Sequence, residues 1–498
     1  MSLLTENEIS LMMTAFKIAL KSKYLILDLD LRLTCEALDA IISDYPPKLI
    51  IDLSPCPLKA YEDLYILLSK MKVWNLRLRN LSYELTRKSK CINRYKITIP
   101  ETVSNLKIEL SCKDLRFLEN GPGQTSCFPK YLTKLAIGCD FNRSIDSLPH
   151  TLEYLQLPNT FNREIDHLPP NLTHLLLGDK FNKKLDHLPP NLLILDIIGK
   201  NFNQPIDKLP PTLTSLTIGT HIDTNNFNQE INHLPSSLLH LDLTGHFNKP
   251  LIQLPNLTSL YLGKKFNQPI DNLFPSLHIL SLGRDFNQEV NHLPPNLGSL
   301  SIGGGFYHTQ FNRNLDNLPS TLKYLQLDGI FNRPIDHLPP ALEELMLGPG
   351  FNQEINSLPP KLRVLKLGYN FNQGIDHLPP SLTDLKLCGY FNREIDHLPE
   401  KLLRLELSNS FNKPINDLPV NLQCLVLGYD YNRTINKLPA KLEVLVLGDH
   451  FNRTITTLPL TLNYIHCRSK VLPSLIRILR KRSYSGQLFE GPKRNHMN

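Results

Sequence analysis

The stretch "FNREIDHLPPNLTHLLLGDK" (residues 161–180) is followed at once by a second Phe-Asn at 181–182, and its pattern returns along most of the chain. Phe-Asn or Tyr-Asn begins at residues 141, 161, 181, 202, 227, 247, 266, 286, 311, 331, 351, 371, 391, 411, 431 and 451, sixteen sites in all. Most steps are 20 residues; one is 19, one is 21 and two are 25. A fixed period of this length marks a solenoid, in which every unit leans on its neighbours. A repeated line also sets like groups in rows, whereas a catalytic centre needs unlike groups converging on one point.

Within one unit the apolar positions are Phe161, Ile165, Leu168, Leu172, Leu175 and Leu177. The alternation at Leu175-x-Leu177 predicts a short strand. A strand this short is expected to pair in parallel with its counterparts at 155/157 and 195/197. Gly178 follows, where a sharp turn is expected; Gly138, Gly263, Gly348 and Gly448 hold the same place. The opposite side, "LPPNL", is expected to be extended or polyproline-like, because proline fixes φ and cannot donate to a ladder. The expected fold class is an α+β solenoid. Coils of about 20 residues stack in the manner of leucine-rich repeats. A parallel sheet lines the concave face, and the convex side is extended.

Asparagine follows the aromatic residue at all sixteen sites: Asn142, Asn162, Asn182, Asn203, Asn228, Asn248, Asn267, Asn287, Asn312, Asn332, Asn352, Asn372, Asn392, Asn412, Asn432 and Asn452. The expected role is structural: a ladder of buried amides that satisfies backbone groups from coil to coil.

The units "FNREIDHLPPNLTHLLLG" and "FNQEINSLPPKLRVLKLG" resemble the FNIP repeat. This leucine-rich-repeat relative is found in social amoebae and in giant viruses that infect amoebae. The resemblance covers about residues 141–465. Many members of that family carry an amino-terminal F-box that recruits a ubiquitin-ligase scaffold. Residues 1–45 here lack the opening Leu-Pro and the apolar helix pair of that pattern.

Bulk properties narrow the function classes. The chain has 498 residues, 41% of them hydrophobic, and a formal net charge of +7, well short of a basic stripe that would demand nucleic acid. Nine cysteines are scattered with no C-x-x-C pair, which argues against zinc ribbons and a disulfide framework. No secretory signal and no membrane-spanning run stands out, so the expected compartment is the cytoplasm, a host's cytoplasm if the protein is viral. No Walker A loop, G-x-G-x-x-G, H-E-x-x-H or G-x-S-x-G is present; an enzyme is not expected, nor a cofactor or metal.

Three domains are expected: a cap with irregular helix-bearing repeats at 1–112, the FNIP solenoid at 113–465, and a basic helical cap with a disordered tail at 466–498. In the first, 25–31, 48–54, 73–80 and 105–111 read as strands, and 5–22, 35–45 and 60–71 as helices. In the last, 472–482 reads as a short basic amphipathic helix.

Three columns invite a functional reading. The residue after Asn is always Lys, Arg or Gln, and an Asp or Asn three places later is expected to cap turns and lie near that cationic column. Seven histidines (167, 187, 233, 292, 337, 377 and 397) share a position that also accepts Ser, Lys, Gln, Asn and Asp, which reads as a solvated face.

The concave strand face is where a solenoid binds. Its expected contact residues are Tyr154, Gln156, His174, Tyr261, Tyr324, Gln326, Met346, Lys366, Lys386, Arg404, Val426 and Val446. Two insertions of five residues, within 220–226 and 304–310, add His221, Phe306 and Tyr307 as loop contacts. The function expected is a non-enzymatic scaffold for a protein partner. The alternative is substrate recognition within an F-box ubiquitin ligase, which would make host ligase components the partners.

Overall fold

A computed structural model of the chain describes residues 128, 130–138, 141–219, 225–304, 309–455 and 457–467, with the backbone of four strands before them and one after. The chain divides into two compact units, Met1–Gly245 and His246–Asn498.

The first unit contains β1 (Leu25–Asp28), β2 (Lys48–Asp52), β3 (Asn75–Arg79), β4 (Asn105–Glu109), β5 (Lys134–Ile137), β6 (Tyr154–Gln156), β7 (His174–Leu177), β8 (Ile194–Ile197), β9 (Ser215–Ile218) and β10 (His240–Leu243). Each pairs in parallel with the next. The register sets equivalent repeat letters side by side, as with Leu175 and Leu195.

The second unit contains β11 (Ser259–Leu262), β12 (Ile279–Leu282), β13 (Ser299–Ile302), β14 (Tyr324–Leu327), β15 (Glu344–Leu347), β16 (Val364–Leu367), β17 (Asp384–Leu387), β18 (Arg404–Glu406), β19 (Cys424–Val426), β20 (Val444–Val446), β21 (Tyr464–Cys467) and β22 (Gln487–Glu490). These too pair in parallel, each with its successor.

Each coil closes on a core of identical letters. Phe161, Ile165, Leu172, Leu175 and Leu177 are all buried. The aromatic rings stack along both units, with centroids 5.9–6.3 Å apart in the first. In the second the spacing is 6.0–6.3 Å. Hydrogen-bonded strands sit only ~4.8 Å apart, so neighbouring coils are wedged open on the aromatic side and narrow on the strand side. The two insertions leave the stack intact: Phe202 and Phe227 are 5.9 Å apart, and Phe286 and Phe311 are 6.1 Å apart.

Several expectations are corrected. Among the described residues there is no helix, so these coils are strand, turn and loop rather than α+β. Twenty residues close one coil before a helix can form. The "LPP" side is a tight turn, not an extended run: Leu172 N donates to Pro169 O at 3.1 Å, and Leu342 N to Pro339 O at 3.1 Å. The second proline, Pro170, is exposed at the turn position its fixed φ suits, while Pro169 is buried.

Among the glycines after the strand, Gly219 and Gly303 hold a left-handed φ of 124° and 114°; others, such as Gly178 and Gly448, let coils touch. A Cβ on Gly178 would lie 2.5 Å from the Asn159 backbone, and one on Gly448 would lie 1.8 Å from Gly428 O.

Strands expected in the first 112 residues form at 25–28, 48–52, 75–79 and 105–109. The helices expected at 5–22, 35–45, 60–71 and 472–482 lie outside the described residues. The tail expected to fray contributes β22, whose backbone pairs with β21.

Candidate functional site

The outward strand positions alternate with buried leucines, so the sheet offers two rows of side chains per unit. In the first unit Tyr154 donates its hydroxyl to Gln156 Oε1 at 3.3 Å, and its ring lies 6.2 Å from that of His174. Burial, and then the Asp196 carboxylate, pushes the Tyr154 phenol above its usual range.

In the second unit the same letters build a tighter cluster. Tyr324 donates to Gln326 Oε1 at 2.6 Å and approaches Met346 Sδ at 3.6 Å, and Gln326 Nε2 donates to Asp328 Oδ2 at 2.8 Å. Burial raises the Tyr324 phenol, helped by Glu344 and Asp328. Three coils on from Tyr324, Lys386 Nζ pairs with Glu406 at 2.7 Å and Arg404 with the same carboxylate at 3.6 Å. Lys366 stands exposed beside them in register with Lys386. Tyr261 is half-buried on β11 and Val426 on β19.

Val446 is the exception: it is only 8% exposed, in register between Val426 and His466, and is part of the core rather than a free contact. The loop residues His221, Phe306 and Tyr307 lie outside the described residues.

The asparagine column is a ladder, but it is not buried. Asn162 N donates to Asn142 Oδ1 at 2.8 Å and Asn182 N to Asn162 Oδ1 at 3.0 Å. In the second unit Asn352 N donates to Asn332 Oδ1 at 2.9 Å and Asn372 N to Asn352 Oδ1 at 2.9 Å, and the pattern continues to Asn452. The amides sit at the lip of the coil, half-exposed or exposed, above the buried rings.

The next column explains its own alphabet. Arg333 Nε donates to Asn312 O at 3.1 Å, and Gln353 Nε2 to Asn332 O at 3.3 Å. Arg and Gln interchange there because both supply a donor to the preceding coil's carbonyl. The aspartates share a hollow with that column at Arg143, Asp146, Arg163 and Asp166. They also face the histidines: His187 Nδ1 lies 3.2 Å from Asp166, His292 Nδ1 3.3 Å from Asp271, and His397 Nδ1 3.3 Å from Asp376. These pairs are solvated, with His187 side-chain exposure at 68%, and such contacts are worth little individually.

A further ladder escapes the sequence reading. Thr212 Oγ1 donates to Pro190 O at 2.7 Å and Leu192 O at 2.9 Å, and Thr461 Oγ1 to Ala440 O at 2.8 Å and Leu442 O at 2.7 Å. The preference for Thr, Ser or Asn three residues before the strand was the available signal.

Among the described residues, no group of three or more His, Cys, Asp or Glu could hold a metal ion, and no helix is long and apolar enough to cross a membrane. Cys388 and Cys424 are free thiols, and burial raises both above the ordinary cysteine value.

Family comparison meets this geometry directly. The FNIP Repeat family matches residues 120–160, 331–370 and 351–389, in both units. The chain carries FNIP repeats. The FNIP coils resemble the giant-virus protein CroV588, described as a novel circular LRR protein structure, with TM-score 0.55, 29% identity, and coverage of 84% of this chain and 73% of that one. YopM from Yersinia enterocolitica WA-314 shares the fold at TM-score 0.50 and 19% identity, over 94% of this chain and 96% of that one. No curated protein matches the sequence. The FNIP chain is thus a parallel-strand solenoid of the leucine-rich-repeat type, the general architecture of protein-interaction scaffolds.

Proposed function

We propose that the protein is a non-enzymatic scaffold that grips a protein partner on the outward strand face, chiefly through the second unit. The observation that carries this is the contrast between columns. Turn, asparagine and glycine positions repeat one solution, whereas successive residues of one outward row are Gln326, Met346, Lys366, Lys386 and Glu406. A rigid frame with a varied row is what selective recognition requires. Tyr324, Met346 and Arg404 are residue types enriched in interface cores.

The F-box alternative has less support. Leu25–Asp28 lies inside residues 1–45 and forms β1, paired in parallel with β2, which favours a solenoid strand there. We retain 1–112 as an amino-terminal cap. The cytoplasm remains the proposed compartment because the thiol-bearing residues include no motif for pairing.

Site-specific photo-cross-linking in amoeba extract tests the reading. A photo-reactive side chain at Lys366 or Tyr324 is expected to give one discrete protein adduct, and one at the turn residue Val420, 70% exposed, to give none. Adducts at Val420 alone, or none at the strand positions, would reject it.

A further inference from the structure

The repeat is broken at two successive coils on the turn side of the second unit. The step from Phe247 to Phe266 is 19 residues, and in the next coil Phe274 stands where other coils place a buried proline. The turn hydrogen bonds prove the equivalence. Leu277 N donates to Phe274 O at 3.1 Å, as Leu297 N donates to Pro294 O at 3.1 Å. Phe274 is 2% exposed, so its ring is driven inward. Beside it Asn272 adopts a left-handed φ of 63°, the sole non-glycine to do so among the described residues. That conformation costs on the order of 1 kcal/mol and tends to persist at functional sites.

These departures open a cleft of about 340 Å³ across three coils, lined by Pro255, Phe274, Pro275 and Pro295, with Gln253, Asn272 and His292 at its edge. The volume is in the range of small-ligand sites. The chemistry of the edge is specific. His292 Nδ1 lies 3.3 Å from Asp271 Oδ2. An ionised carboxylate only accepts, so Nδ1 carries the proton and Nε2 of the neutral ring is left as an acceptor. Asp271, with 24% side-chain exposure, is the least exposed carboxylate among the histidine–aspartate pairs of this column.

We propose that this cleft takes the tyrosine side chain of a partner polypeptide. The exposed Pro255, Pro275 and Pro295 rings face the phenyl ring above the buried Phe274, His292 Nε2 accepts from the phenol, and the Gln253 and Asn272 amides meet the flanking peptide groups. An aromatic body with a donor at its tip is what an apolar floor with one acceptor at the rim selects. The site lies on the turn side, away from the strand face, and stands independently of the function proposed above.

Saturation-transfer NMR on the full chain tests it with N-acetyl-tyrosinamide as probe. Transfer is expected, at least threefold weaker with N-acetyl-phenylalaninamide, which lacks the phenol, and weaker likewise with p-cresol, which lacks the peptide groups. Phe274→Pro restores the residue other coils use but removes a buried ring, so it should lower the melting temperature while leaving the chain folded, and abolish transfer. His292→Ala should bring the tyrosine probe down to the phenylalanine level. No transfer, equal transfer from tyrosine and phenylalanine probes, or transfer that survives Phe274→Pro would overturn the proposal. Transfer from p-cresol as strong as from the tyrosine probe would overturn the peptide source.

Discussion

The backbone amide of Asn352 donates to the side-chain oxygen of Asn332 one coil earlier, at 2.9 Å, and this link recurs from coil to coil in both units. Arg333 Nε reaches only the carbonyl of Asn312, from an exposed side chain. Asn332→Ala removes the acceptor of a half-buried amide and should cost about 1–2 kcal/mol, whereas Arg333→Ala should cost well under half of that. Thermal denaturation of the two variants decides; equal shifts would mean the ladder is not what holds the lip of the coil.

Tyr431 takes the place of phenylalanine in the stack, 6.0 Å from Phe411 and 6.1 Å from Phe451, and its hydroxyl is buried without a hydrogen-bond partner. Burial drives its phenol far above the usual value. Tyr431→Phe should therefore stabilise the second unit by about 1 kcal/mol. A lower denaturant midpoint for the variant would show that the hydroxyl has found a partner.

Two glycines separate close approach from mere absence of a side chain. A Cβ on Gly448 would lie 1.8 Å from Gly428 O, while one on Gly298 meets nothing nearer than His278 O at 3.8 Å. Gly448→Ala is expected to cost about 1–3 kcal/mol. Gly298→Ala should be neutral or stabilising by a few tenths of a kcal/mol, through the unfolded chain's lost freedom. Melting curves in which both variants behave alike would refute the packing argument.

Asp285 is partly buried, which raises its carboxyl, but hydrogen bonds from Arg284 at 2.8 Å and Lys265 at 2.9 Å outweigh this and hold it below the ordinary 3.8. A depressed folded-state value means stability present above the unfolded value and lost as pH falls through the folded one. Asp285→Asn should thus be less stable than the parent at pH 7, and the gap should close as the solution is taken well below pH 3.8. A gap independent of pH would assign the difference to packing.

The core and the register were legible because they depend on one repeated letter each. Leu175 and Leu195 had to lie side by side once the strands paired. The turn was misread because proline's missing donor was weighed and its fitness for a tight turn at Pro170 was not. The glycine column is legible in part: Gly219 and Gly303 turn with positive φ, but a close approach such as Gly428 to Gly448 depends on the neighbouring coil, which one unit's sequence does not contain. The histidine–aspartate pairing and the donor role of Arg333 are also relations between coils. On the candidate face, exposure at Lys366 followed from alternation, but the burial of Val446 depended on the residues beside it in its row.

Register is tested most directly by spin-label distances between Ser301 and Lys386, which are 85 residues apart in sequence and linked through Gln326, Met346 and Lys366 by four successive strand pairings. Dipolar electron resonance should give a narrow distribution near 19 Å, four strand spacings. A broad distribution centred on the order of 50 Å, as for a flexible tether of that length, would contradict the account.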